Sequence, residues 1–504
     1  MRPFLLYRDK SLKNARLYSS FQDLQKDLNL NVVMNVMTGK SPEKIEAIKT
    51  VMITPLENAD ELEYRYAISD DMWANKGLCK ELTDLADMAY NETRQYKAEL
   101  EQNRGKSSER AGVILAVLRY VELALDIFAN LKSIINNKDY TISSEGLRAF
   151  GQRINKLPIE EMIEFHKQLF FYVTGGEGVF SLRLSGGLKI DESIFLDCNT
   201  KKHPKLSNSS KSFKKFYYRV SKKDKVLIEG EELNKDIKVY IEAHIKKIID
   251  EYNDLIDELM TYFFDLYREV NFYNGINNFR ERMGQLGFPL CKGNVSEDRH
   301  KKYFEDLYEI SLGIFSQKYP VPNTFTTDKL MTLITGANQG GKSTFLRSIG
   351  IAQVLMQCGM PIPAKKYISP LYSNIHTHFT RKEDAQISLG RLEDELNRMN
   401  TIINNLSEDS LVLLNESFAS TTEKEGSKIA ENILVPLYQN KIQVMMVTHL
   451  HEFARKMFES NSQDIKFLIA DRRPSGERTY RMIEGEPHYS SYGTDLYKEM
   501  IGDI

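Results

Sequence analysis

A glycine-rich run that ends in a lysine and two hydroxyl residues could bind phosphate. Its residues are Gly336, Ala337, Asn338, Gln339, Gly340, Gly341, Lys342, Ser343 and Thr344. Glycines allow backbone N–H groups to turn towards phosphate oxygens, and the N-terminus of a following helix adds partial positive charge. At this spacing we expect Lys342 to reach the β- and γ-phosphates of a nucleotide, and the Ser343 hydroxyl to bind Mg²⁺.

Such a loop needs a strand before it and a helix after it, and the flanking sequence supplies both. Residues 330–335 form a short apolar, β-branched run, and residues 345–358 have a helical pattern. The full Gly-x-x-x-x-Gly-Lys-Ser spacing rarely occurs by chance in this context. The sequence therefore predicts a P-loop that binds ATP.

A second strand should bring a carboxylate to the same pocket. Residues 410–416 read Ser-Leu-Val-Leu-Leu-Asn-Glu, an apolar run that ends in Asn415 and Glu416. The usual Walker B strand ends in an Asp that orders the Mg²⁺ shell, whereas Asn415 offers an oxygen without a charge. Glu416 follows where a carboxylate can orient or deprotonate the attacking water. We predict Asn415 as a weak metal ligand, Glu416 as a catalytic residue, and slow ATP hydrolysis.

Two weaker signals lie in the expected order around this strand. A further strand, 443–447, is followed by Thr448 and His449, and a His in that place can sense the γ-phosphate. Residues 387–391 read Ile-Ser-Leu-Gly-Arg, which resembles an ABC-type signature loop that reads the γ-phosphate of a neighbouring subunit. We predict His449 as a catalytic residue and Ser388 as a nucleotide contact, although a lone Thr-His or Ser-x-Gly is more often structural.

The chain ahead of these motifs is mostly helical. Residues 231–274 contain no Gly or Pro and carry apolar residues in steps of four and three, as in a coiled coil. A helix of that length is about 66 Å long, and it could either pack in a bundle or act as a lever between distant sites. After residue 285, β-branched runs alternate with helices. The sequence predicts a mainly α-helical core/lever domain, 1–285, followed by an α/β ABC-type P-loop ATPase domain, 286–504.

A small, clamp-like segment, 175–230, is inserted among the helices. Short strands are expected at 180–184 and 193–196. Residues 201–225 then contain ten Lys or Arg residues against one acid, with aromatic residues among them. This basic patch could neutralise nucleic-acid phosphates, or it could be a solvated loop.

The composition is that of a soluble globular protein. The chain has no overall positive charge that would indicate nucleic-acid binding. Lys and Arg number 68 and Asp and Glu 70, which gives a net charge of −2. The four cysteines are far apart, so they suggest neither a disulfide framework nor a thiolate zinc site. The pairs His376/His378 and His449/His451 each lack two further ligands at zinc spacing. No signal peptide or membrane span is evident, so we expect a cytoplasmic protein.

Taken in order, these segments resemble the MutS family of DNA mismatch repair ATPases over most of the chain after residue 320. Residues 335–344 are similar to the family's Thr-Gly-Pro-Asn-Met-Gly-Gly-Lys-Ser-Thr, and residues 448–452 to its Thr-His-x-His-Glu. The remaining matches are the Pro-Asn loop at 321–323, the Thr/Ser-rich loop at 417–426, the closing strand at 480–482 and the Ser-Tyr-Gly turn at 491–493.

Upstream the resemblance is weaker, and it includes departures. Residues 54–56 with Arg65 resemble the start of the family's helical core, 231–274 its lever helix, and 175–230 lies where its DNA clamp would be. The Phe-x-Glu at 279–281 is beside the ATPase rather than in an amino-terminal wedge domain, so reading of mismatched DNA is not expected. After the Ser-Tyr-Gly turn we expect neither a helix-turn-helix tail nor an Smr nuclease domain.

The resemblance implies an ATP- and Mg²⁺-dependent DNA-binding ATPase in DNA repair or recombination. It also implies a homodimer through the ATPase domains, whose nucleotide state moves helical levers and thereby changes DNA contacts. Two alternatives stay open. One is a nucleotide-gated binding switch with little hydrolysis, because of Asn415, and the other is a MutS-like protein that acts on RNA or ribosomes.

Overall fold

A computed structural model of the chain describes residues 2–103, 110–173, 178–184, 190–198, 231–380, 390–473 and 477–487. The first part of this described chain is helical, as predicted. A 3-10 turn at Leu12–Asn14 comes first. The helices that follow are α1 (Phe21–Asp27), α2 (Leu30–Thr38), α3 (Pro42–Met52), α4 (Ala59–Ala74), α5 (Lys76–Asn103), α6 (Arg110–Ile135), α7 (Glu145–Asn155) and α8 (Ile159–Val173).

A β-hairpin lies in the segment that the sequence singled out as an insertion. Strands β1 (Gly178–Leu184) and β2 (Ile190–Cys198) pair antiparallel, with Phe180 opposite Phe195. The predicted strands at 180–184 and 193–196 lie inside them, so both are confirmed. The basic patch at 201–225 lies outside the described residues, and its role as a DNA clamp stays a prediction.

Helix α9 (Glu231–Leu286) begins where the sequence predicted a long helix and ends twelve residues later than expected. The helix continues through Gly275, which lies just after the predicted end. Close packing explains why a glycine stands at this position. A Cβ at Gly275 would lie 2.8 Å from Ile48 Cδ1. From Tyr262 onward, burial is not limited to the predicted seam, since Phe263 and Tyr267 are buried as well. A helix that is buried on most sides is a core helix, and coiled-coil pairing stays a prediction.

The second part of the chain alternates strands and helices, which confirms the predicted α/β pattern. Its elements are β3 (Gly293–Val295), β4 (Lys302–Leu307), α10 (Ile310–Ser316), β5 (Asn323–Thr327), β6 (Met331–Thr335), α11 (Lys342–Gln357), β7 (Lys366–Ser369), β8 (Asn374–Phe379), α12 (Arg391–Asn404), β9 (Ser410–Asn415), α13 (Glu423–Gln439), β10 (Gln443–Val447), α14 (His451–Glu459), β11 (Ile465–Arg472) and β12 (Arg478–Glu484).

A six-stranded sheet organises this part, in the order β12-β11-β6-β10-β9-β8. All neighbours are parallel except β12, which pairs antiparallel with β11 at the edge. Residues 411–414 of the central strand β9 are fully buried, because helices cover both faces of a parallel sheet. The carboxyl ends of β6, β9 and β10 meet at one edge, where ligands bind in folds of this type. A smaller sheet has the order β3-β7-β4-β5.

The chain divides into two compact units that interleave along the sequence. One contains residues 1–3, 75–142 and 147–270, and the other contains 4–74, 143–146 and 271–504. Neither unit ends at residue 285, where the sequence predicted a domain boundary. The amino-terminal helices belong with the large sheet because Leu28 packs on helix α11, where a Cβ at Gly350 would lie 2.6 Å from Leu28 Cδ2.

The other unit is held together by aromatic contacts between its helices. The ring of Tyr96 on α5 stacks on Tyr120 of α6 with 4.3 Å between ring centroids. Phe128 of α6 contacts Tyr262 of α9 at 5.2 Å. Within the part of the chain that the structure describes, no helix is both long enough and apolar enough to cross a bilayer.

Candidate functional site

The loop between β6 and α11 has the backbone that its glycines predict. Gly336 and Gly341 have φ angles of 120° and 89°, in the left-handed range that favours glycine. A Cβ at Gly340 would lie 2.8 Å from the Cβ of Ala470 on β11. The loop therefore needs glycine both for its turn and for its close approach to the neighbouring strand.

A cavity of about 470 Å³ opens above this loop. Most of the predicted phosphate-binding run lines it, namely Asn338, Gln339, Gly340, Gly341, Lys342, Ser343 and Thr344. Glu416 also lines the cavity, so the structure brings the carboxylate and the P-loop together as predicted. Gly336 and Ala337 lie beneath, and their carbonyls face Lys342.

Lys342 is 4% exposed and is held by its own loop. Its Nζ donates to the carbonyls of Gly336 and Ala337, each at 2.9 Å. Burial lowers the pKa of Lys342 to about 8, and the charge of Glu416 opposes this shift. A buried amine with two carbonyl acceptors and a nearby carboxylate can exchange those acceptors for phosphate oxygens.

Glu416 and His449 form a pair at the carboxyl ends of neighbouring strands. His449 Nε2 lies 3.1 Å from Glu416 Oε1, and the hydrogen bond holds the pKa of Glu416 below its usual range although burial opposes this. The backbone N–H of Glu416 donates to Val447 O at 2.9 Å. The carboxylate is therefore ionised near neutral pH and fixed in place, and it can accept a hydrogen bond from water.

Asn415 presents an oxygen without a hydrogen-bond partner. Its Oδ1 is buried, and no described residue donates to it. A buried oxygen of this kind needs a donor or a cation, and Ser343 supplies a hydroxyl on the cavity wall. Hard oxygen donors of this kind fit Mg²⁺, so the residues present are compatible with the ion. The described chain contains no cluster of three or more His, Cys, Asp or Glu residues that could hold a metal.

One wall of the cavity was not predicted from the sequence. It consists of α10 and the segment after it, including Leu312, Ser316 and Tyr319, together with Tyr480 of β12. Tyr480 is 47% exposed, so its ring is available to a ligand. The Pro-Asn loop at 321–323 was the available signal, since Asn323 Oδ1 accepts from Met482 N at 2.7 Å and so attaches β12 to this wall.

Several predicted site residues lie outside the described chain. Ser388, in the signature-like loop, falls within 381–389, and the Ser-Tyr-Gly turn at 491–493 also lies outside. The predicted closing strand at 480–482 is confirmed, because it lies in β12. The contact of Ser388 with a second subunit stays a prediction.

Two protein families match this chain. Residues 57–286 match the MutS2 N-terminal domain, and residues 332–500 match MutS domain V. The first matched segment ends at residue 286 and the second begins at residue 332.

Curated relatives match parts of the chain. The DNA mismatch repair protein MutS of Thermotoga neapolitana is 30% identical over 207 residues, which is 38% of this chain and 25% of the relative. Endonuclease MutS2 of Streptococcus equi subsp. equi is 31% identical over 175 residues, 34% of this chain and 22% of the relative. MutS of Thermotoga petrophila is 27% identical over 304 residues, 51% of this chain and 38% of the relative. The chain thus spans well under half the length of these relatives.

Proposed function

We propose that this chain couples ATP binding and hydrolysis to DNA binding in repair or recombination. The chain belongs to the MutS family, because it matches both the MutS2 N-terminal domain and MutS domain V. The observation that carries this proposal is that Lys342 and Glu416 line one cavity above the P-loop, with Glu416 hydrogen-bonded to His449. Phosphoryl transfer to water needs little else from a protein than such positioning and charge. DNA as the partner is supported by relatives named DNA mismatch repair proteins.

Phosphate binding would use the backbone of the loop and the amine of Lys342. The loop N–H groups and the N-terminus of α11 favour an anion. Lys342 Nζ would exchange its bonds to Gly336 and Ala337 for phosphate oxygens, and it would be fully charged in that state. The exposed ring of Tyr480 offers an apolar surface for the base.

Water attack would depend on Glu416. Its low pKa favours the ionised form, which accepts a hydrogen bond from water and orients it towards the γ-phosphate. His449 Nε2 donates to the carboxylate and so limits its rotation. Both residues therefore position the water rather than bind the nucleotide.

Ser343 and Asn415 are the residues that would hold a divalent cation. Bound Mg²⁺ supplies positive charge that neutralises the β- and γ-phosphate oxygens. Since Asn415 is neutral, it attracts the cation less than an Asp would, and we expect slow hydrolysis. This substitution favours a second candidate function, a nucleotide-gated DNA-binding switch that hardly hydrolyses ATP.

Phosphate release by the wild type and by Asn415→Asp distinguishes the two candidates. Slow release from the wild type, stimulated by DNA, supports the ATPase. No release from the wild type, together with release from Asn415→Asp, supports the switch. No ATP binding by either protein would contradict both.

We also propose a homodimer through the ATPase domains, with DNA gripped according to nucleotide state. Sedimentation with and without a non-hydrolysable ATP analogue tests the dimer. Competition among branched DNA, homoduplex, mismatched duplex and structured RNA at two salt concentrations tests the partner. A preference for RNA would contradict the proposed DNA partner.

A further inference from the structure

A buried histidine on strand β8 contacts the loop that carries Glu416. His378 has no exposed surface. Its Nδ1 lies 2.7 Å from Ser417 Oγ, and its Nε2 lies 3.1 Å from the carbonyl oxygen of Glu395 on helix α12. A carbonyl can only accept, so Nε2 donates to α12. Ser417 Oγ also lies 3.0 Å from His378 O, so its single hydroxyl proton can be donated either to the ring nitrogen or to the backbone carbonyl of His378.

The loop that His378 contacts has a backbone that needs support. Glu416 and Phe418 have φ angles of 55° and 65°, which non-glycine residues adopt only at a cost. The Thr380 hydroxyl donates to Glu416 O at 2.8 Å. The ring of Phe418 packs on His378 with 5.9 Å between centroids. The end of β8 therefore holds the backbone of Glu416 and the side chains of Ser417 and Phe418.

The same histidine reaches helix α12. Two further contacts accompany it: Ser420 Oγ donates to Glu395 Oε1 at 2.7 Å, and Arg398 donates to Phe379 O at 3.1 Å. Helix α12 begins at Arg391, the last residue of the signature-like segment 387–391. His378 thus bonds to the loop that carries Glu416 through one ring nitrogen and to α12 through the other.

We infer that His378 is a positioning residue that ties the Glu416 loop to helix α12, so that nucleotide binding in one protomer changes the stability of α12. The inference rests on the proposed function, in which the segment before α12 faces the nucleotide of the second subunit. A shift of Glu416 when ATP binds alters the position of Ser417, and the imidazole transmits that shift because both its nitrogens are bonded.

The chain offers variants that separate the two bonds. The amide nitrogen of Asn overlays Nδ1, and that of Gln overlays Nε2, so His378→Asn and His378→Gln each keep one of the two contacts. Ser417→Ala removes the hydroxyl partner with a small change in volume. The matched controls are His376→Gln, a buried histidine two residues earlier on β8, and Ser410→Ala, a buried serine at the start of β9.

Hydrogen exchange measured by mass spectrometry, with and without a saturating non-hydrolysable ATP analogue, tests the inference on the full chain. We expect the analogue to slow exchange in 342–357 and in 391–404 of the wild type and both controls. In Ser417→Ala and in both His378 variants, slowing should persist in 342–357 and shrink about fivefold or more in 391–404. If the His378 variants do not fold, Ser417→Ala decides.

Two results overturn the inference. One is an equal response of 391–404 in Ser417→Ala and wild type, and the other is no response of 391–404 in the wild type although 342–357 responds. A wild type in which 342–357 itself does not respond would show that the proposed ATP binding fails, which is a different result.

Discussion

Two buried lysines of the same compact unit have opposite surroundings. Lys342 lies at the carboxyl edge of the large sheet, lines a cavity and donates to two carbonyls. Lys302 lies near the amino edge, where its Nζ is 4.7 Å from the ring centroid of Tyr372 and has no hydrogen-bond partner among the described residues. Burial lowers the pKa of Lys342 to about 8 and that of Lys302 to about 7.

A shifted pKa does not identify a functional site by itself. Lys302 has the lower pKa, yet its Nζ faces an aromatic ring and has no hydrogen-bond acceptor among the described residues. Lys342 has acceptors, a carboxylate neighbour and space for a ligand. Geometry therefore assigns a functional role to Lys342 and a role in the core to Lys302.

The strongest test of this contrast is to remove each amine. Lys342→Ala should lower ATP affinity about 1,000-fold, because charge-assisted bonds to phosphate are lost in a partly buried site. Lys302→Met should leave ATP affinity unchanged. Titration calorimetry measures both, and equal affinity for Lys342→Ala and wild type would contradict the site.

Lys302 should instead affect stability, with a defined pH dependence. Its pKa is depressed on folding, so the unfolded chain binds more protons between pH 7 and pH 10, and stability rises with pH in that window. The wild type should lose about 3 kcal/mol of unfolding free energy from pH 9.5 to pH 7 relative to Lys302→Met. Urea unfolding at the two pH values measures this. An equal pH dependence of the unfolding free energy in the wild type and in Lys302→Met would contradict the lowered pKa of Lys302.

Removal of the charge next to Lys342 separates binding from chemistry. Glu416→Gln should lower ATP turnover about 100-fold, because the carboxylate that orients water is lost. The P-loop contacts remain, so ATP should still bind. Phosphate release and calorimetry on the same protein check this, with Glu408→Gln, at an exposed position before β9, as control. Unchanged turnover would exclude Glu416 from catalysis.

The smallest effect is the pH dependence of ATP binding itself. Because the pKa of Lys342 is about 8 in the free protein, binding above that pH requires proton uptake. ATP affinity should be constant below pH 8 and fall up to about tenfold per unit above it. Lys342→Arg, which stays charged, should not show this slope. An equal slope in both proteins would place the titration elsewhere.

The parts of the site that were predicted from sequence are those with local signals. The P-loop and the strand ending in Glu416 are contiguous runs whose residue types follow from phosphate and water chemistry. The passage of α9 through Gly275 was not predictable, because the reason is contact with Ile48, more than 200 residues earlier. The packing of Leu28 on α11 likewise depends on a distant contact that carries no sequence pattern, and the α10 wall had only the Pro-Asn loop at 321–323 as a signal.

The role of His378 illustrates the same limit. In the sequence it was one half of a His-x-His pair that lacked further metal ligands. Its contacts with Ser417 and Glu395 are visible only once β8, β9 and α12 are assembled. A buried histidine of this kind needs the three-dimensional arrangement before its partners can be named.

The coupling of ATP binding to DNA binding is tested by the affinity of the purified full chain for DNA. Fluorescence anisotropy measures this affinity with ATP analogue, with ADP and without nucleotide. We predict that the analogue changes DNA affinity at least about fivefold, and that Lys342→Ala abolishes this change while it leaves nucleotide-free DNA binding intact. Equal DNA affinity under all three conditions, in protein that has bound the analogue, would contradict the account.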